Sequence, residues 1–316
     1  MMKIVVTDGY TLNPGDLSWK PIEAMGELTV YERMKPEEIV EKCKNATIVV
    51  TNKVPFNEAA ISQLTNLKMI AVTATGYNII DVQAAAKKGI VVSNVPAYGT
   101  ASVAQHTIAL LLELTNQVGK HAASVAAGEW VKSPDFGYQI TPITELAGKT
   151  MGIVGWGNIG SQTARIAQAL GMELLYYNPT KKESAFAPWA SLPELFAKSD
   201  YISLHCPLKP DNTGFVNNEL ISLMKPSACI INTSRGPLIN EQHLADALNT
   251  GRIAGAALDV LSTEPPPAGN PLLTAKNCII TPHNAWISSE ARQRVMDVTV
   301  KNVAAFLKGA PVNKVG

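Results

Sequence analysis

Cysteine is scarce in this chain of 316 residues: Cys43, Cys206, Cys229 and Cys278 lie far apart, with no Cys-x-x-Cys pair and no histidine at zinc-ligand spacing. That argues against a disulfide scaffold and a local zinc site, and reads as reduced, mostly buried thiols in a cytoplasmic protein with no metal. An excess of one charge is missing too. The 27 Lys and Arg offset 26 Asp and Glu, and no dense basic cluster occurs, so neither nucleic acid nor a membrane surface is an expected partner. Long apolar runs are absent: the most apolar stretch, residues 101–114, is interrupted by Gln105, His106 and Glu113 and falls short of a bilayer span. Lys3 precedes Ile4-Val5-Val6, but Thr7-Asp8-Gly9 follows at once, so the start reads as a β-strand, without the apolar region of a secretory leader.

What is present suffices for a large core. With 46% apolar and 17% charged residues, the length favours two domains. Short β-branched runs (4–7, 48–51, 69–73 and 90–93) alternate with helical patterns at 36–44 and 81–88, which implies a parallel sheet with helices on its faces. After Pro96 a helical pattern runs past Leu114 towards Ala127. An irregular stretch, 128–144, follows with Trp130, Pro134, Phe136 and Pro142; it is long for a plain connection and reads as a contact with a second subunit, hence a homodimer, with a functional loop or a surface loop covering its own domain as the alternatives. A second series of strands is expected at 151–154, 173–177, 201–204, 229–232, 254–258 and 278–281, then a loop at Glu264-Pro265-Pro266-Pro267 and a last helix, 288–307.

Gly155-Trp156-Gly157-Asn158-Ile159-Gly160 stands between the strand 151–154 and a helix expected over 159–170. Gly-x-Gly-x-x-Gly alone is a weak signal, but in this context the three glycines serve a tight turn, close approach of a pyrophosphate and close helix packing. The amides at the helix start then face phosphates. The residue ending the next strand, which reads the adenosine ribose, is Asn178. An acidic side chain there would accept the ribose hydroxyls and repel a 2′-phosphate. Asn178 still bonds a ribose but carries no such charge, and Lys181 and Lys182 either attract a 2′-phosphate or are simply solvated; NAD(H) is taken as favoured with NADP(H) as the alternative.

With Asn232-Thr233-Ser234-Arg235-Gly236, Asp259-Val260-x-x-x-Glu264, Thr281-Pro282-His283, and Asn94-Val95-Pro96 ahead of Ser102-Val103-Ala104-Gln105-His106-Thr107, the chain resembles the D-isomer-specific 2-hydroxyacid dehydrogenases along essentially its full length. The resemblance implies an α/β fold of two doubly wound parallel-sheet domains with an intervening cleft. These are a flavodoxin-like substrate domain (1–98 and 286–316) and a Rossmann-type dinucleotide domain (99–285).

It also implies an active site of Arg235, Glu264 and His283. The chemistry requires those types: a guanidinium fork binds the carboxylate and carbonyl oxygen of a 2-keto acid together. An imidazole protonates the alkoxide left by hydride transfer, and a carboxylate beside it favours its charged form and fixes its orientation. Taken singly, each has a duller alternative, a surface ion pair, a solvated loop acid or a loop histidine; their order and flanking sequences favour the trio.

By the same resemblance Asn158, Ile159, Cys206, Pro207, Thr233, Ser234 and Asp259 contact the cofactor, and Thr75, Gly76 and Trp286 the substrate. Asp259 has the alternative of a buried strand-end acid satisfied by backbone amides. His106, His121 and His243 read as helix residues. Within the family the segments Val95-Pro96-Ala97-Tyr98 and His283-Asn284-Ala285-Trp286 look most like glycerate dehydrogenases (hydroxypyruvate reductases), although Asn284 replaces an expected apolar residue. A D-lactate or phosphoglycerate type, or a non-catalytic NADH-sensing corepressor, are the alternatives.

Overall fold

The computed structural model describes residues 2–316, which divide into two compact units, 2–98 with 287–316 and 99–286. In the first, β1 (Lys3–Val6), β2 (Glu27–Val30), β3 (Ile48–Thr51), β4 (Met69–Val72) and β5 (Val91–Ser93) form one sheet in the order β2-β1-β3-β4-β5 with every pair parallel. Between them lie α1 (Gly9–Leu12), α2 (Lys20–Glu23), α3 (Ile39–Cys43), α4 (Glu58–Gln63) and α5 (Val82–Lys87).

Three of its strands are apolar on both faces because helices cover both. Ile4, Val6, Ile48, Val50, Met69 and Ala71 enter one core, while Val5, Val49, Ile70 and Val72 enter the other. That two-sided burial explains why these strands read as continuous apolar runs in the sequence. The edge strand β2 is largely exposed, has no such run, and was not expected.

The second unit begins with α6 (Thr100–Asn116) and α7 (Val118–Ala126). A single helix was expected here. Gln117 instead adopts a left-handed conformation, φ 47° and ψ 45°, donating its N–H to Glu113 O and ending α6 without glycine or proline to announce it. No helix or strand occurs over 128–144.

The sheet of this unit has the order β11-β10-β9-β8-β6-β7, again all parallel, from β6 (Thr150–Val154), β7 (Glu173–Tyr177), β8 (Tyr201–Leu204), β9 (Cys229–Asn232), β10 (Gly255–Leu258) and β11 (Cys278–Ile280). The crossovers carry α8 (Asn158–Ala169), α9 (Leu192–Lys198), α10 (Asn218–Leu223) and α11 (Glu241–Asn249). Strand order reverses between β6 and β8, and the carboxyl ends of strands at such a switch point are where this architecture binds ligands.

The chain then returns to the first unit through α12 (Ser289–Leu307), whose Val295, Met296 and Val303 cover the core of Ile4 and Ile48. Trp286 groups with the second unit. Arg292 of α12 is buried and forms a bidentate pair with Asp16, 2.6 Å for each bond. Among the described residues no helix is long and apolar enough to cross a membrane.

Candidate functional site

The glycine loop takes the conformation its residues permit. Gly155 ends β6 at φ 105°, and a Cβ there would stand 2.5 Å from Cys206 N, so glycine alone allows β6 and the turn after β8 to meet. On Gly160 a Cβ would overlap Gly155 O, which keeps α8 tight on its strand. At Gly157, by contrast, nothing lies within 4 Å of that position. A face bare of side chains therefore precedes the first turn of a 12-residue helix, whose leading N–H groups have no intrahelical acceptor. These residues fit a dinucleotide pyrophosphate, which would lie on Gly157, Asn158, Ile159 and Gly160.

Asn178 follows β7 directly, and its Oδ1 accepts the Trp156 N–H at 2.8 Å. The side-chain oxygen thus braces the glycine loop, and Nδ2 is the group left to face a ribose. Lys182 Nζ donates to Trp156 O at 3.3 Å, while Trp189 Nε1 donates to Asn178 O at 3.1 Å. Lys182 is therefore drawn onto the same loop. Lys181 and Lys182 with Tyr176 and Trp189 line a surface cavity beside this strand end.

At the end of β8, Ser234 Oγ donates to Cys206 O at 2.6 Å, tying that turn to the one after β9. Burial pushes the Cys206 thiol up to about 11, so it stays protonated and is no nucleophile. His205 is pushed down to about 3 by burial, and its neutral Nε2 lies 2.8 Å from Ser203 Oγ.

The turn after β9 is organised by Asn232, whose Nδ2 donates to Arg235 O and whose Oδ1 accepts the Ser234 N–H. It leaves Arg235 exposed, with one terminal nitrogen donating to Ser234 O at 2.7 Å. Gly236 then packs on the backbone at Leu261 and Ser262, where any Cβ would overlap. That contact brings the Arg235 turn against the loop carrying Glu264. Glu264 Oε1 accepts Leu261 N–H at 3.1 Å, and Oε2 lies 2.6 Å from His283 Nδ1. Both side chains keep partial exposure, 35% and 27%.

Asp259, 1% exposed, is the hub beneath them. Its carboxylate accepts N–H groups of Asn284 and Ala285, each at 2.9 Å, and the Thr281 hydroxyl at 2.6 Å. The alternative of a strand-end acid satisfied by backbone amides describes this geometry.

Two residues of α6 were missed as site residues, because helical periodicity assigns a face and not a partner. His106 Nε2 lies 3.1 Å from Thr281 Oγ1, and Thr107 Oγ1 lies 2.9 Å from Thr233 Oγ1. Thr107 donates to Val103 O, so Thr233 must donate to Thr107 and presents only lone pairs elsewhere.

Thr75 and Gly76 lie in the loop after β4 of the first unit, where the Thr75 hydroxyl donates to Val95 O and Thr75 O accepts from Asn94 Nδ2. Trp286 is buried, 9% exposed, with its Cβ about 4.0 Å from the Cβ position of Gly99. Among the described residues no three His, Cys, Asp or Glu side chains gather as a metal cluster.

A cradle for a dinucleotide on the same sheet edge as an imidazole–carboxylate pair and an exposed guanidinium defines a nicotinamide-dependent oxidoreductase. Residues 108–285 match the NAD-binding domain of D-isomer specific 2-hydroxyacid dehydrogenases. A hydroxypyruvate reductase of Blautia hydrogenotrophica is 52% identical over 99% of both chains. A glycerate dehydrogenase of Methylorubrum extorquens is 42% identical over 99% of this chain and 98% of its own. Among solved structures, an acyclic imino acid reductase in complex with NADPH and D-Arg superposes with a TM-score of 0.87 at 32% identity, covering 100% of both. The chain belongs to the D-isomer-specific 2-hydroxyacid dehydrogenase family, and it is a dehydrogenase with an NAD-binding domain.

Proposed function

We propose that the chain reduces hydroxypyruvate to D-glycerate, with glyoxylate as a second substrate, in the cytoplasm, with Arg235, Glu264 and His283 as its catalytic residues. The Arg235 fork binds the substrate carboxylate and polarises its carbonyl oxygen. When bound, the nicotinamide supplies the hydride that adds to the carbonyl carbon. His283 supplies the proton. The hydrogen bond from Nδ1 to Glu264, 2.6 Å, carries this reading, because it leaves Nε2 to give its proton to the substrate oxygen and take it back in the reverse direction. Thr75 and Gly76 are assigned to the substrate carboxylate through backbone amides, and Trp286 to the pocket wall. Cys206, Pro207, Thr233, Ser234 and Asp259 are assigned to the cofactor's surroundings.

NAD(H) is the favoured cofactor, with NADP(H) accepted, since Asn178 offers no charge to repel a 2′-phosphate. A homodimer joined through the segment after α7 accounts for its exposed apolar side chains, Val131 at 91% and Phe136 at 99%. Sedimentation of the purified chain as a monomer would rule that out.

One assay panel tests the activity: oxidation of NADH and of NADPH with hydroxypyruvate, glyoxylate, pyruvate and bulkier 2-keto acids, with chiral analysis of the product. Hydroxypyruvate should give the highest kcat/KM and D-glycerate as product. Tight NADH binding without turnover of any keto acid would instead indicate a sensor.

A further inference from the structure

Helix α6 reaches the strand ends that carry His283, and proton counting fixes the direction of each hydrogen bond there. Thr281 Oγ1 lies 2.6 Å from Asp259 Oδ1, and a carboxylate only accepts, so the one hydroxyl proton of Thr281 points at Asp259. Thr281 Oγ1 must then accept from His106 Nε2, 3.1 Å away. Nε2 of His106 therefore carries hydrogen whether the ring is neutral or charged. The same nitrogen is 3.5 Å from Asp259 Oδ1, a second acceptor within the arc it faces.

The chain of bonds continues to the proton donor. Asp259 grips the N–H groups of Asn284 and Ala285 with its carboxylate, and its own carbonyl accepts the His283 N–H at 2.8 Å. His283 sits at φ 51°, a left-handed conformation uncommon for a non-glycine residue. Those bonds hold the turn in it. His106, Thr281 and Asp259 thus form a line running from a helix side chain to the backbone turn from which the His283 imidazole projects.

We propose that His106 is a positioning residue of the reaction, holding that turn so that His283 Nε2 meets the substrate oxygen; the proposal rests on the proton-donor role of His283 given above. Packing alone does not call for an imidazole here. A side chain 22% exposed on α6 would be served by leucine, which fills the space but gives Thr281 no donor. Without that donor the Thr281 hydroxyl is free to rotate away, Asp259 then loses the hydrogen bond it accepts from Thr281, and the turn is held by fewer bonds. A misplacement of the donor by about 1 Å is worth about 100-fold in rate.

The test uses the full chain with His106→Leu and His106→Gln, glutamine placing an amide N–H at about the reach of Nε2. In His106→Leu, kcat should fall about 10- to 100-fold while NADH affinity, substrate KM and melting temperature stay close to the parent's. His106→Gln should recover most of the loss. A leucine variant with parental kcat, or equal losses in both variants, overturns the positioning role. So does a His106 ring protonated at Nδ1 alone, read from 15N spectra of histidine-labelled protein with no substrate present. If the parent turns over no keto acid, the functional reading fails instead, and the 15N spectrum still decides the hydrogen-bond chain.

Discussion

Gly236 lies against the backbone of Leu261 so closely that a Cβ would overlap the Leu261 carbonyl group. The contact fixes the turn bearing Arg235 against the loop bearing Glu264 by backbone on backbone, so the placement of guanidinium and carboxylate does not depend on flexible side chains. Gly236→Ala must separate the two. Overpacking of this kind costs about 1–3 kcal/mol, readable as a lower denaturation midpoint, and kcat/KM for the keto acid should fall further than that loss of stability explains. Parental kcat/KM in a folded Gly236→Ala protein would show that the spacing is not fixed there.

Removal of the proposed proton donor should spare binding. His283→Ala is expected to lower kcat for reduction by about 100- to 10,000-fold, the usual share of general acid catalysis, with NADH affinity measured by fluorescence titration nearly intact. Glu264→Gln should lie between parent and His283→Ala, because an amide oxygen still accepts the Nδ1 hydrogen bond but has no charge to support the imidazolium formed in catalysis. Unchanged turnover in His283→Ala would remove the residue from its role.

Cofactor choice should turn on Asn178. Its Oδ1 is committed to Trp156 N–H, so Asn178→Asp keeps that bond with one oxygen and turns a second, charged oxygen to the ribose. The second oxygen accepts ribose hydroxyls and repels a 2′-phosphate. The ratio of kcat/KM for NADH over NADPH should rise at least about tenfold, equivalent to about 1.4 kcal/mol. A ratio that stays level would place the ribose away from Asn178.

Acid should weaken the fold through His205. Burial holds its imidazole at about 3, below the ordinary value of 6.5. Between those values the unfolded chain binds a proton that the native chain refuses, so stability is complete above pH 6.5 and declines as pH falls towards 3. From pH 7.5 to 5 this one group should cost about 1–2 kcal/mol, measured by urea unfolding at the two pH values. His205→Gln, which cannot titrate, should show a shallower acid dependence; an identical slope would assign the acid sensitivity to other groups.

The fold was legible where burial is two-sided. Strands β3, β4, β8 and β9 are buried at every position, which writes them into the sequence as mostly apolar runs with no exposed polar alternation. Strand β2, exposed at three of its four positions, leaves no such trace. The break between α6 and α7 was hidden for a related reason: Gln117 enters the left-handed region under tertiary constraint, with nothing in its identity to signal a stop. The glycine loop was legible because a tight turn and close backbone packing each demand glycine.

Residue type and order by themselves determined the dinucleotide loop after β6, and they singled out the arginine, glutamate and histidine proposed for keto-acid chemistry. Only the tertiary structure decided which of their atoms are committed. Glu264 and His283 are 19 residues apart, Asn178 commits its oxygen to the glycine loop, and His106, which the sequence presents as one more helix residue, reaches the His283 turn through Thr281 and Asp259. The physical reason is that hydrogen bonds depend on distance and direction, and in a doubly wound sheet those are set by how strands far apart in sequence line up, which no local pattern encodes.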